Sequence, residues 1–259
     1  SDFRKLINKP NGIVIVTGPT GSGKTTTLYA ALQELNDIST KILTAEDPVE
    51  YDIDGLCQCQ VNVETETTFA RLLRSFLRQD PDVILVGEIR DLETGIIAVQ
   101  ASLTGHLVVS TLHTNSAPAT VTRLMDMGVE PYLIAATLNG VVAQRLVRRL
   151  CAACAVPEPA DDQERLRLGV APGTPLRLKR ACGCAACNGT GYRGRMVVSE
   201  IMPLDADLRG LIADVAGEQA IAASARAAGM VSLVETGRAR VIAGDTTLDE
   251  IGRVLEGQV

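Results

Sequence analysis

The sequence predicts an α/β protein: a parallel-stranded core, then a cysteine-bounded excursion, then a mainly helical tail. Three observations predict it. Short aliphatic runs recur at Ile13-Val14-Ile15-Val16-Thr17, Lys41-Ile42-Leu43-Thr44-Ala45, Val83-Ile84-Leu85-Val86 and Leu107-Val108-Val109-Ser110-Thr111, with helix-like segments between them. That alternation is the pattern of strands buried on both faces and joined by helices. A glycine-rich turn follows the first run, and two C-x-x-C pairs bound a polar stretch near the middle of the chain.

Composition sets the limits. The 259 residues suit one large domain, or a core with one small addition. Apolar residues make up 46%, enough for a sizeable core, while aromatics are 3% with no Trp, so that core is aliphatic. The formal net charge of −6 argues against a general nucleic-acid surface, and no nucleic-acid partner is expected. No uncharged apolar stretch reaches the ~18 residues that would suggest a membrane span, and the start shows no signal peptide. Opening at Ser1-Asp2-Phe3 without Met, the chain reads as a piece of a longer protein. The seven cysteines, at 57, 59, 151, 154, 182, 184 and 187, suit metal binding in a reducing compartment better than a disulfide framework.

Residues 1–12 read as a lead-in, with a turn at Asn8-Lys9-Pro10-Asn11-Gly12 before the first strand. Next comes Gly18-Pro19-Thr20-Gly21-Ser22-Gly23-Lys24-Thr25-Thr26, opening a helix that runs to about Leu35. Strand, glycine-rich turn, then Gly-Lys-Thr at a helix start is the context of a P-loop. Its backbone N–H groups converge on phosphate, Lys24 reaches the β- and γ-phosphates, and Thr25 can hold magnesium. The second strand ends in Glu46-Asp47-Pro48-Val49-Glu50-Tyr51, which puts acidic residues on the ligand-binding edge of an open sheet. Ile53 to Val63 alternates as a strand, with Cys57 and Cys59 on one face.

Thr67 or Thr68 caps a helix expected from Phe69 to about Arg78, with a stripe of Phe69, Leu72, Leu73, Phe76 and Leu77. Arg71, Arg74 and Arg78 lie off that stripe, as a solvated cationic face or as phosphate or subunit contacts. Val83 to Val86 leads into Gly87-Glu88-Ile89-Arg90-Asp91, a Walker-B-like end about 65 residues beyond the P-loop. A carboxylate there sits beside magnesium and its waters. A helix over Leu92–Leu103 follows. His106 and His113, the only histidines, flank the next strand, and a neutral histidine at its carboxyl end can hydrogen-bond a phosphate.

Ala117 to Met127 reads as a helix, and so does Leu133 to about Leu150, interrupted by Gly140. Cys151-Ala152-Ala153-Cys154 and Cys184-Ala185-Ala186-Cys187 are separated by 29 residues. This is a four-cysteine arrangement of zinc-site type with no open position, hence structural. Cys182 is a spare that could replace Cys184. One short helix is expected between the pairs, around Asp161 to Leu168, and the later segments 206–216, 217–228, 233–243 and 247–255 read as helices. The expected divisions are 1–150, 151–190 and 191–259.

Together these stretches resemble the C-terminal motor domain of the type II secretion ATPase E group, which is close to type IV pilus assembly and retraction ATPases. The matching segments are Gly18–Thr26 (Walker A), Ile42–Tyr51 (Asp box), Phe69–Asp91 with its Walker B end, Thr104–Asn115 (His box), Val142–Leu146 and Thr190–Arg195. The resemblance implies a RecA-like core that forms a homo-hexamer and uses ATP with Mg²⁺. It implies that Glu46 activates the attacking water, that Glu88 serves magnesium, that His113 and His106 are His-box residues, and that Arg74 and Arg78 lie near nucleotide or subunit contacts. Position alone leaves the roles of Glu46 and Glu88 exchangeable. Cys151, Cys154, Cys184 and Cys187 match the family's Zn²⁺ loop, which selects secretion or pilus assembly over retraction. A cytoplasmic location at the inner membrane follows, through platform proteins contacted by preceding domains. Such domains also supply arginines to the nucleotide, so this stretch alone is expected to hydrolyse ATP weakly and to be poorly hexameric. Two departures, the missing glycine in Glu64–Thr68 and Val197 in place of a glycine, touch none of these residues.

Overall fold

The computed structural model describes residues 2–62 and 64–255. The elements run α1 (Asp2–Ile7), β1 (Gly12–Thr17), α2 (Lys24–Leu35), β2 (Ile42–Glu46), β3 (Cys57–Gln60), α3 (Phe69–Phe76), β4 (Val83–Val86), α4 (Leu92–Leu103), β5 (Leu107–Leu112), α5 (Ala117–Asp126), α6 (Pro131–Thr137) and β6 (Leu138–Leu150). They continue with β7 (Val156–Pro159), α7 (Asp162–Leu168), β8 (Arg177–Arg180), β9 (Tyr192–Pro203), α8 (Ala206–Ala213), α9 (Glu218–Ala227), α10 (Leu233–Ile242) and α11 (Leu248–Val254). No helix among the described residues is long and apolar enough to cross a membrane.

Residues form two compact units, 1–143 with 201–230, and 144–200 with 231–259. In the first, strands follow the order β3-β2-β4-β5-β1-β6, with β6 contributing Leu138–Ala143. Pairing is parallel from β3 through the first half of β6. β1, β2, β4 and β5 are buried at every position, which is why their sequences are continuous apolar runs rather than alternating ones. Val14, Val16, Leu28, Leu32, Leu85, Val109 and Val142 centre the core. Side-chain caps start the helices: Thr68 accepts from the Arg71 N–H, Asp91 from Thr94 and Ser116 from Ala119. Residues 201–230 join this unit through α8, where Arg209 donates to the Ala135 and Leu138 carbonyls at the end of α6.

Two expectations are corrected here. The helix expected over Leu133–Leu150 is a short helix, α6, followed by a 13-residue strand. Leu138, Val141 and Val142 are buried because the first half of β6 lies inside the sheet beside β1, so apolar spacing there reflects two buried strand faces, not one helical stripe. The strand expected over Ile53–Val63 shrinks to β3; its far end, Val63, lies outside the described residues, as do Ser1 and residues 256–259.

The second unit holds the antiparallel pair β7–β8, with α7 between them, and the helices α10 and α11. Asp161 and Glu164 form a reciprocal cap at the start of α7.

Candidate active site and candidate metal centre

β1 ends at Thr17, and the chain turns through Gly18–Gly23 into α2. Gly23 adopts φ 86°, a left-handed conformation that a side chain disfavours. The turn brings Lys24, Thr25 and Thr26 onto the first turn of a 12-residue helix, whose amino end favours an anion. The Lys24 ammonium folds back over the loop and donates to the carbonyls of Gly18 (2.8 Å) and Pro19 (3.2 Å).

Threonines stitch the neighbouring strand ends together. The buried Thr17 hydroxyl lies 2.7 Å from the Thr114 hydroxyl and accepts the Thr114 backbone N–H at 2.9 Å. Thr111 donates to the Gly87 carbonyl at 2.6 Å, and the Ile89 N–H donates back to the Thr111 carbonyl at 3.1 Å. The carboxyl ends of β1, β5 and β4 thus form one hydrogen-bonded edge.

Glu88 lies on that edge with 15% of its side chain exposed. His113 Nε2 is 3.3 Å from Glu88 Oε2, while Arg90 pairs with Oε1 and stands 3.5 Å from Asp47 Oδ2. The hydrogen bond to Glu88 holds the Arg90 guanidinium above its ordinary pKa. His113 therefore joins the site. His106 does not: its Nδ1 is 2.8 Å from the Ala101 carbonyl and 3.1 Å from the Thr104 hydroxyl, at the opposite end of β5. A six-residue strand is ~20 Å long, so the two histidines cannot share a ligand.

Glu46, at the end of β2, is 3% exposed and held by three neighbouring donors. Thr44 donates to Oε1 at 2.5 Å, Gln58 Nε2 donates to Oε1 at 3.1 Å, and the Tyr29 hydroxyl donates to Oε2. Burial pushes the Tyr29 phenol well above its usual pKa, and the hydrogen bond to Glu46 pushes it the same way.

Arg74 and Arg78 are not brought to the P-loop of their own chain. Arg74 pairs with Glu93 of α4 at 2.7 Å, with both side chains more than half exposed. Arg78 lies in the turn entering the amino end of β4, across the sheet from the P-loop edge. The expected helix end there also shortens from Arg78 to Phe76.

Sequence reading missed Thr17, Thr111, Thr114, Tyr29, Gln58 and Arg90. The one available signal was a hydroxyl residue near the end of otherwise apolar strands, as at Thr17, Thr44 and Thr111. Tyr29 and Gln58 carry no such mark.

In the second unit, Cys151, Cys154, Cys184 and Cys187 bring their sulfurs within 4.8 Å of one another. Three pairs are separated by 4.0, 3.8 and 3.8 Å (151–184, 154–187 and 184–187). Four thiolates at ~2.3 Å from a tetrahedral zinc have edges of about 3.8 Å, so the cluster fits that ion. Backbone N–H groups of Cys184 and Gly191 donate to Cys187 Sγ at 3.2 Å each. Burial raises this thiol, but those N–H groups together with the Cys184 and Cys154 thiols bring it down to about 6; burial leads in pushing Cys154 up to about 12. Gly191 has φ 74°, and a Cβ there would lie 2.6 Å from Ala181 Cβ. Cys182 stays outside the cluster, with its exposed thiol directed at the Arg180 carbonyl.

Comparison with known proteins agrees with these features. Over 253 residues the chain is 57% identical to the type II secretion system ATPase E of Vibrio cholerae, covering 98% of this chain and 50% of that protein. It is 51% identical over 253 residues to the type IV pilus assembly ATPase PilB of Myxococcus xanthus, covering 96% and 44%. The crystal structure of the pilus retraction motor PilT with bound ADP aligns with a TM-score of 0.71 at 28% identity, covering 98% of this chain and 64% of that one. The chain spans about half the length of the secretion and pilus-assembly relatives it matches. The RecA-like α/β core, the four-cysteine cluster and the C-terminal helices are as the sequence predicts. Matched over residues 1–253, the chain belongs to the type II/IV secretion system protein family.

Proposed function

We propose that this chain is the ATP-hydrolysing part of a type II secretion ATPase, powering protein export by driving pseudopilus assembly at the inner membrane. The observation that carries this reading is the convergence, at the carboxyl edge of one sheet, of a P-loop ending in Lys24-Thr25 with Glu46 at the end of β2 and Glu88 just beyond the adjacent β4. Loop residues Gly18, Pro19, Thr20, Gly21, Ser22 and Gly23 wrap the phosphates. Lys24, Thr25, Thr26 and the start of α2 neutralise their charge.

Glu46 is the general base. A carboxylate has about four lone-pair directions. Three are taken here, and Oε2, which accepts only from Tyr29, keeps one for a water. That water attacks the γ-phosphorus in line, its proton goes to Glu46 Oε2, and the bond from the γ-phosphorus to the β–γ bridging oxygen breaks as ADP leaves. Thr25 and Glu88 offer the hard oxygen donors that suit Mg²⁺, with Arg90 competing for Glu88. Bound there, the ion supplies neutralisation of the phosphoryl oxygens. His113, held against Glu88, hydrogen-bonds a phosphate oxygen. Cys151, Cys154, Cys184 and Cys187 would hold Zn²⁺ as four thiolate ligands, a structural staple for the polar excursion.

A homo-hexamer in the cytoplasm, held at the inner membrane by secretion-platform proteins, completes this reading. Arg74 and Arg78 then serve a subunit contact rather than their own nucleotide. The 51% identity to PilB supports pilus assembly as the second reading. Phosphate release measured against protein concentration tests the enzyme claim. Release should depend on Lys24 and fall at least about 10²-fold in Glu46→Gln and in Glu88→Gln, with ATP binding retained in both. Normal hydrolysis by Glu46→Gln would defeat the assignment of the base.

A further inference from the structure

We infer that Tyr29 is a positioning residue, aligning Glu46 and anchoring the segment 46–51 to the helix that follows the P-loop. The inference rests on the proposed hydrolytic reading only for the consequence at Glu46. Tyr29 lies one helical turn beyond Thr25 on α2 and is 1% exposed. Its hydroxyl does two things at once: it donates to Glu46 Oε2 and accepts the Glu50 backbone N–H at 3.2 Å. Its ring packs edge-on against Tyr51, with centroids 4.8 Å apart and planes at 82°.

One buried phenol therefore touches the acidic segment at its beginning, Glu46, and at its end, Glu50 and Tyr51. It does so from the helix whose first turn carries Lys24 and Thr25. Thr44 and Gln58 both bond Oε1, leaving Tyr29 as the group that orients Oε2. A displacement of α2 at its phosphate-binding end is transmitted by this hydroxyl to the oxygen that faces the water. The sequence gives no hint of it, because Tyr29 falls at an ordinary core position of the helix.

Tyr29→Phe removes the hydroxyl and keeps the ring. The experiment measures ATP affinity, turnover and residue-resolved amide exchange on wild-type, Tyr29→Phe and Lys24→Ala chains, with melting curves confirming that each is folded. We expect Tyr29→Phe to bind ATP within about threefold of wild type and to lose roughly 10²-fold in turnover, the scale set by an ångström of misplacement. Exchange of the Glu50 amide should rise at least about tenfold once its acceptor is gone. Unchanged Glu50 exchange overturns the inference. So does faster exchange with wild-type turnover, since Tyr29 would then be packing alone. If the wild-type chain shows no Lys24-dependent turnover, the hydrolytic reading has failed. Glu50 exchange then decides the anchoring role alone, a rise supporting it and no change overturning it.

Discussion

Glu250→Gln tests how the second unit is held together. Glu250 is 1% exposed and accepts five hydrogen bonds. Three come from Arg148 (backbone N at 2.9 Å, Nε at 2.9 Å, Nη2 at 2.7 Å) and two from Arg253 (2.9 and 2.7 Å). The Arg148 guanidinium also stacks 4.1 Å from the centre of the Tyr192 ring, so one carboxylate joins β6, β9 and α11. Burial alone would raise its pKa, yet the hydrogen bonds from Arg253 and Arg148 bring it from 4.5 down to about 2. At 1.36 kcal/mol per pKa unit that gap is worth about 3 kcal/mol. The arginines are about half exposed, so solvent screens part of it, and we expect Glu250→Gln to cost roughly 2–3 kcal/mol at pH 7. That corresponds to about 5–10 °C in melting temperature for a chain of this size. The sign follows from the depressed folded pKa. The contribution is fully present above about 4.5 and is lost as pH falls toward 2, so the gap between wild type and variant should close over that window. Urea titrations followed by circular dichroism, with amide exchange in α10 and α11, read this directly. A gap under about 0.5 kcal/mol at pH 7, or one that stays constant down to pH 2.5, refutes the reasoning.

Two other predictions concern other parts of the molecule. The purified chain should carry one zinc per molecule, released on chelation with loss of exchange protection in 151–190; a metal-free chain with the same protection would contradict the zinc assignment. Gly140→Ala places a Cβ 2.7 Å from Leu6 Cδ1 and 3.0 Å from the Met202 carbonyl oxygen. It should therefore destabilise the first unit by about 1–3 kcal/mol in urea. Wild-type stability there would mean that β6 and α1 separate more readily than their burial implies.

The main architecture was legible because its signals are local. Fully buried parallel strands write themselves as uninterrupted Val/Ile/Leu runs, the P-loop is contiguous, and the cysteine pairs bracket a segment too polar to build a core. Long β6 was not legible. Ile134, Leu138, Val141, Val142 and Val147 recur at spacings a helix also produces, and a strand buried on both faces shows no alternation. Gly140, read as a break in a helix, instead marks close approach of Leu6 and the Met202 carbonyl. The site was legible where one residue type carries the chemistry, as at Lys24 and Glu88. It was not where distant residues converge: Tyr29, Thr44 and Gln58 meet on Glu46 from three elements, and Thr17 meets Thr114 across 97 positions. The anchor at Glu250 was not legible either: its two arginines come from β6 and from one turn further along α11.

The most direct test of the central claim is a single-turnover measurement. Protein in excess over ATP and magnesium makes even slow chemistry visible without repeated product release. We expect the wild-type chain to convert bound ATP to ADP, Glu46→Gln to bind ATP and leave it intact, and Lys24→Ala to bind at least about tenfold more weakly. Equal conversion by wild type and Lys24→Ala, or bound ATP left intact by the wild type, would contradict the account.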